Sequence, residues 1–144
     1  KAGIGTLMHA TPLQLKQLIS AARKAAAQAY APYSKFKVGA AILTQTGNIF
    51  TGCNVENASY GLCNCAERTA IFNAVASGEK KLKIECVAVF TATEKATAPC
   101  GACRQVIFEF GPKARVISTC RTVDRIDRPI MELLPSAFGP KDLL

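Results

Sequence analysis

Three cysteines constrain this fold more than any other residues in the chain. Cys65 opens a segment, Cys65 to Ser77, in which Ala66, Ala70, Ile71, Ala74 and Val75 recur at helical spacing, with Gly78 suited to the C-cap. Cys100 and Cys103 lie in Pro99-Cys100-Gly101-Ala102-Cys103, at the start of a second helical segment, Gly101 to Phe110, stopped by Gly111-Pro112. Residues three apart on a helix share a face, so these two sulfurs point the same way. A fold that brings the two helix N-termini together offers three sulfurs to one ion. The macrodipole and free N–H groups at such termini also favour thiolate over thiol.

Three thiolates on Zn²⁺ leave one tetrahedral position, which catalytic sites keep for water and structural sites close with a fourth protein ligand. The only histidine is His9, in the N-terminal stretch, so a histidine-rich site is impossible here. Glu67, two residues beyond Cys65, is placed to move protons at a water on that open position. Three thiolates and Zn²⁺ sum to one negative charge, which opposes ionisation of the water. Arg68 is placed to offset the excess by donating to a ligand sulfur. Cys53, Cys63, Cys86 and Cys120 read as thiols without a site role. A structural zinc site, closed by Cys63 or Cys53, is the competing reading at this point.

Around these segments the chain reads as helix, two strands, helix, strand, helix, strand and a short C-terminal helix. The first helix is expected over residues 11–30, with Thr11 as N-cap, Pro12 at the first position and Gln14 completing a capping box. Val38 to Leu43 and Asn48 to Cys53 form a hairpin about Thr46-Gly47-Asn48. Ile84 to Phe90 and Val116-Ile117 are further strands, and Met131 to Leu134 is a short helical turn. No linker or repeat divides the 144 residues, so one domain over 1–144 is expected. Lys1 to His9 lacks the long apolar core of a signal peptide, and residues 1–10 read as a soluble tail. Hydrophobic residues at 49% and charged residues at 19% suit an ordered core. No apolar run is long enough to span a bilayer, so no membrane partner is expected. A net charge of +8 raises the prospect of a nucleic-acid partner, but the basic residues are scattered and never form a run of four. Seven cysteines cannot all pair, and in a reducing compartment clustered cysteines point to metal ligands or buried thiols.

Cys-x-Glu opening a helix, followed by Pro-Cys-x-x-Cys, is the zinc deaminase signature in its three-cysteine form. The chain resembles the small homotetrameric cytidine deaminases from about Tyr30 to Leu143. Five ordered blocks carry the resemblance: Ala31 to Ala41 (APYSKFKVGAA), Gly52 to Ala58 (GCNVENA), Cys65 to Ala70 (CAERTA), Pro99 to Gln105 (PCGACRQ) and Glu132 to Pro135 (ELLP). It implies a three-layer α/β fold, a mixed β-sheet with helices packed on both faces. It implies one Zn²⁺ per chain on Cys65, Cys100 and Cys103, with Glu67 carrying a proton from the attacking water to N3 of the pyrimidine. The products would be uridine or deoxyuridine and ammonia, in pyrimidine salvage. Asn54 and Glu56 match the pair that binds the ribose hydroxyls, and residues two apart on an extended segment do point the same way. Phe36 matches the aromatic residue that packs on the pyrimidine, and the Ala66 N–H joins base recognition. Ala58, Tyr60 and Phe138 match positions supplied across a subunit boundary, which implies a homotetramer whose sites are completed by neighbours. The substrate is then a small nucleoside, with no nucleic acid and no membrane partner, and the location cytoplasmic.

Two departures stand out. Cys120 to Arg128 is more charged than the family's loop, and the usual glycine-containing turn is not evident, which puts the local hairpin in doubt. Ala98 stands where serine is common. Among rivals, blasticidin S deaminase shares the zinc motif but differs on the sugar side, where this chain has Asn54 and Glu56. A polynucleotide deaminase fits the charge, but the triad has no histidine and aromatic residues are only 7%.

Overall fold

The Thr11 hydroxyl accepts from the Gln14 N–H while the Gln14 side chain accepts from the Thr11 N–H, the capping box read from the sequence. It opens α1, Pro12–Ala26, in a computed structural model that describes residues 10–144. The expected tail lies outside the described residues, as does His9, except for Ala10, which packs against the core under α1. The helix stops four residues short of the expected end. Ala27, Gln28 and Ala29 close tight turns onto Lys24, Ala25 and Ala26, and the Tyr30 N–H turns away to the Asn54 carbonyl.

Two strands follow, β1 Val38–Thr44 and β2 Ile49–Cys53, paired as the expected antiparallel hairpin. Then come α2 Ala66–Ala76, β3 Ile84–Thr91, α3 Gly101–Phe110, β4 Arg115–Thr119, β5 Arg125–Pro129 and α4 Ile130–Leu133. The sheet order is β2-β1-β3-β4-β5, with β3 and β4 parallel and every other pair antiparallel. Period-two alternation splits the core into two layers. Ala40 and Ile42 of β1, Val87 and Val89 of β3 and Val116 of β4 face α2, α3 and α4. Ala41, Leu43, Cys86, Ala88, Phe90 and Ile117 face α1. This is the expected three-layer arrangement, with helices on both faces of a mixed sheet. Among the described residues, no helix is long and apolar enough to cross a membrane.

Two glycines set how closely the layers approach. A Cβ on Gly39 would sit 2.0 Å from the Ala22 carbonyl oxygen of α1. A Cβ on Gly52 would sit 2.3 Å from the Ala70 nitrogen and 2.6 Å from the Ala66 oxygen of α2. Helix backbone thus lies directly on strand backbone on both faces, and on the α2 side this fixes the height of the helix start.

The doubted hairpin is present: β5 is a strand missing from the expected order. It pairs with β4 through an antiparallel ladder from Arg115 opposite Pro129 to Thr119 opposite Arg125, and its side chains pair by charge rather than alternating apolar and polar. Arg115 on β4 grips the Asp127 carboxylate through Nε and Nη2, both at 2.7 Å, and Arg125 adds a contact at 3.1 Å. The turn between the strands needs no glycine, because no residue from 120 to 124 has positive φ. Side chains hold it instead. Thr122 Oγ1 donates to the Glu94 carbonyl at 2.8 Å, and Asp124 Oδ2 accepts from the Ala96 N–H at 2.8 Å.

Candidate active site

Cys65 and Cys100 are the N-caps of α2 and α3, in extended backbone, and neither side chain caps its own helix. Their sulfurs face each other at 3.8 Å. Cys103, fully buried one turn into α3, brings the third sulfur, and all three lie within 4.8 Å of one another. Tetrahedral zinc with Zn–S bonds of about 2.3 Å requires sulfurs about 3.8 Å apart, so the residues fit the ion. Among the described residues, no fourth Cys, His, Asp or Glu joins the group, Cys53 and Cys63 included. All seven cysteines are free.

The electrostatics draw one of the three sulfurs, that of Cys65, toward thiolate. Hydrogen bonding from the Cys103 thiol, reinforced by Arg68, holds the Cys65 thiol down to about 5. The same bond and burial push Cys103 up. Arg68 Nη2 donates to Cys65 Sγ at 3.4 Å, the contact expected of it, and the thiolate in turn raises the guanidinium's affinity for its proton. Glu67 is 4% exposed, with Oε2 at 3.7 Å from Cys103 Sγ, and burial pushes its carboxyl above the usual range. Arg104 ties the Pro-Cys-x-x-Cys turn down, donating from Nε to the Pro99 carbonyl at 2.7 Å and from Nη1 to the Leu133 carbonyl at 2.8 Å.

A cleft of about 300 Å³ opens onto these groups. That is the lower end of the range for small-molecule sites, about 300–1,000 Å³. Cys65, Ala66, Glu67 and Cys100 line it together with Phe36, Asn54 and Glu56. Asn54 holds the Phe36 segment in place: Oδ1 accepts from the Val38 N–H and Nδ2 donates to the Phe36 carbonyl, both at 2.8 Å. The Glu56 carboxylate accepts from the Tyr33 N–H at 2.9 Å, the Ser34 N–H at 3.2 Å and the Ser34 hydroxyl. That hydroxyl, first among these donors, holds the Glu56 carboxyl below the usual range.

Ala58, Tyr60 and Phe138 do not line this cleft. Tyr60 is 74% exposed, its ring edge-on to Tyr33 at 5.9 Å, and Phe138 is 58% exposed. Ser34 and Cys63 do line it, although the sequence reading assigned Ser34 no role and Cys63 only a place in the rival structural zinc site. Cys63 carries no local pattern to reveal it, whereas Ser34 sits inside the Pro-Tyr-Ser block.

The comparisons with known proteins agree. A family model, the cytidine and deoxycytidylate deaminase zinc-binding region, matches residues 13–119. The chain is 47% identical to a cytidine deaminase of Sporosarcina psychrophila over 132 residues, 91% of this chain and 96% of that protein. It is 44% identical to a cytidine deaminase of Halalkalibacterium halodurans over 129 residues, 89% of this chain and 96% of that one. A crystal structure of cytidine deaminase from Burkholderia pseudomallei superposes with a TM-score of 0.81 at 53% identity, over 85% of this chain and 98% of that one. With its three sulfurs gathered at two helix starts, the chain belongs to the zinc-binding cytidine and deoxycytidylate deaminase family.

Proposed function

We propose that this chain, acting as one domain over residues 1–144, hydrolytically deaminates cytidine and deoxycytidine. The products are uridine or deoxyuridine and ammonia. The observation that carries the reading is the buried carboxyl of Glu67 beside the three-sulfur cluster at the lining of the cleft. Cys65, Cys100 and Cys103 would hold zinc, whose Lewis acidity would make water a usable nucleophile near neutral pH.

Glu67 takes the proton of the attacking water and delivers it to N3 of the pyrimidine, so that C4 accepts the oxygen. It then takes the proton of the new C4 hydroxyl and passes it to the amino group, which leaves as ammonia as the C4 carbonyl forms. A carboxyl group does this efficiently where the protein excludes bulk water around it. The Ala66 N–H recognises the base, and Arg68 steadies Cys65. Phe36 packs on the pyrimidine. Asn54 and Glu56 take the sugar hydroxyls from their shared side of the segment after β2.

Ala58, Tyr60 and Phe138 act on the site of a neighbouring subunit in a homotetramer. Their exposure outside their own chain's cleft supports that role. The substrate is a free nucleoside rather than a polynucleotide, because the neighbours close over the sugar. Seven free cysteines suit the reducing cytoplasm, where the reaction serves pyrimidine salvage.

Ultraviolet monitoring of cytidine with the purified protein tests the reading. Loss of the cytosine spectrum with release of ammonia, abolished when a chelator is present during refolding and restored by zinc, is the expected result. No turnover with one zinc bound per chain would overturn it.

A further inference from the structure

The Ser34 hydroxyl stands between two groups that the proposed reaction uses separately. It donates to Glu56 Oε1 and accepts from the Phe36 N–H at 3.0 Å. Hydroxyl chemistry allows both at once, with one hydrogen given and one lone pair filled. The Ser34 N–H also points at the carboxylate, 3.2 Å from Oε2 and 3.3 Å from Oε1, and the Tyr33 N–H adds a bond at 2.9 Å. Glu56 therefore meets three donors from one short turn. A carboxylate has about four acceptor sites, so about one remains for a ligand.

The turn itself is held in place from both ends. The Lys35 N–H closes it onto the Ala31 carbonyl at 3.1 Å, with Lys35 in the left-handed region at φ 58°. Asn54 then grips the chain just beyond, at Phe36 and Val38. The nearest backbone to Glu56 on its own segment is also bridged here, because the Glu56 N–H donates to the Tyr30 carbonyl at 2.8 Å. Sugar-side carboxylate and ring-side phenylalanine thus share one hydrogen-bonded frame, and among the described residues Ser34 is the one side chain bonded to both.

We infer that Ser34 is a positioning residue for sugar recognition. Its hydroxyl aims the one remaining acceptor of Glu56 at a ribose or deoxyribose hydroxyl and sets the Phe36 backbone at the matching height. This rests on the proposed nucleoside deamination. A carboxylate already ionised and oriented binds a hydroxyl without reorganising, so the effect falls on substrate binding more than on the chemical step.

The test uses the full zinc-loaded chain with deoxycytidine and with 2′,3′-dideoxycytidine, which lacks the hydroxyls that Glu56 would meet. In Ser34→Ala, KM for deoxycytidine rises about tenfold while kcat changes less than about threefold, the scale of one hydrogen bond to a charged group. The loss in kcat/KM with dideoxycytidine is much smaller, so the preference between the two substrates narrows. Ser34→Thr keeps the hydroxyl and restores the preference. Equal losses on both substrates, or a fall in kcat alone, would make Ser34 merely structural and overturn the inference. So would an unchanged preference in Ser34→Ala. A wild-type protein that deaminates neither nucleoside would instead overturn the deaminase reading, and the inference with it. Thermal unfolding of each variant separates a folding defect from a binding one.

Discussion

Arg68 Nη2 reaches Cys65 Sγ at 3.4 Å across one turn of α2, so Glu67 is flanked by a sulfur and by the cation bound to it. The contact spans positions i and i+3, which share a helix face. Replacing it with a neutral amide, Arg68→Gln, leaves the sulfur cluster less compensated. The expected outcome is a folded protein whose zinc affinity or turnover falls about ten- to hundredfold, the usual scale for a partner of a metal ligand. Metal titration and steady-state kinetics read both. Unchanged values in both would assign charge compensation elsewhere.

Gly52 decides how low α2 sits on the sheet. An alanine there would collide with helix backbone at Ala66 and Ala70, which can give way only by lifting the start of α2. Gly52→Ala should cost about 1–3 kcal/mol as an overpacked contact. Thermal unfolding should register this as a fall of roughly 3–10 °C. Gly61→Ala, which meets nothing within 4 Å, should leave the transition where it is. Equal transitions for the two variants would contradict the close approach.

The Arg115–Asp127 pair gives a pH signature. Hydrogen bonding from Arg115 holds the Asp127 carboxyl below the ordinary aspartate range. A carboxyl depressed in the folded state contributes stability above its unfolded value, and that contribution is lost as pH falls through the folded value. Both side chains are partly exposed, at 45% and 32%, so the effect is at most about 1 kcal/mol. Asp127→Asn should therefore unfold a few degrees below wild type at neutral pH, and the gap should close in strong acid. A gap that widened in acid would contradict the pair's role.

The legible parts of the molecule were those whose signal is local. Thr11, Pro12 and Gln14 fix the start of α1 within a few residues of chain, and Cys65-x-Glu67 and Cys100-x-x-Cys103 fix which side chains leave each helix start. The parts not legible depend on distant partners. The end of α1 is decided by Tyr30 meeting Asn54, and β5 by its backbone ladder with β4, with Arg115 meeting Asp127 across it. A charged run such as Arg125 to Arg128 has no apolar alternation to betray an edge strand. Ser34 gained its place only because the fold sets it against Glu56, 22 residues away. Ala58, Tyr60 and Phe138 show the converse: one chain leaves them outside its own cleft.

Glu67→Gln bears most directly on the proposed proton transfer. The substitution keeps the shape of the side chain and removes its ability to carry a proton, without touching a sulfur. Zinc content and cytidine turnover are measured on the same sample. The expected result is zinc retained at one per chain with turnover reduced by about 10²–10⁴-fold, the range for a lost general acid–base group. Turnover close to wild type with zinc in place would contradict Glu67 as the proton shuttle.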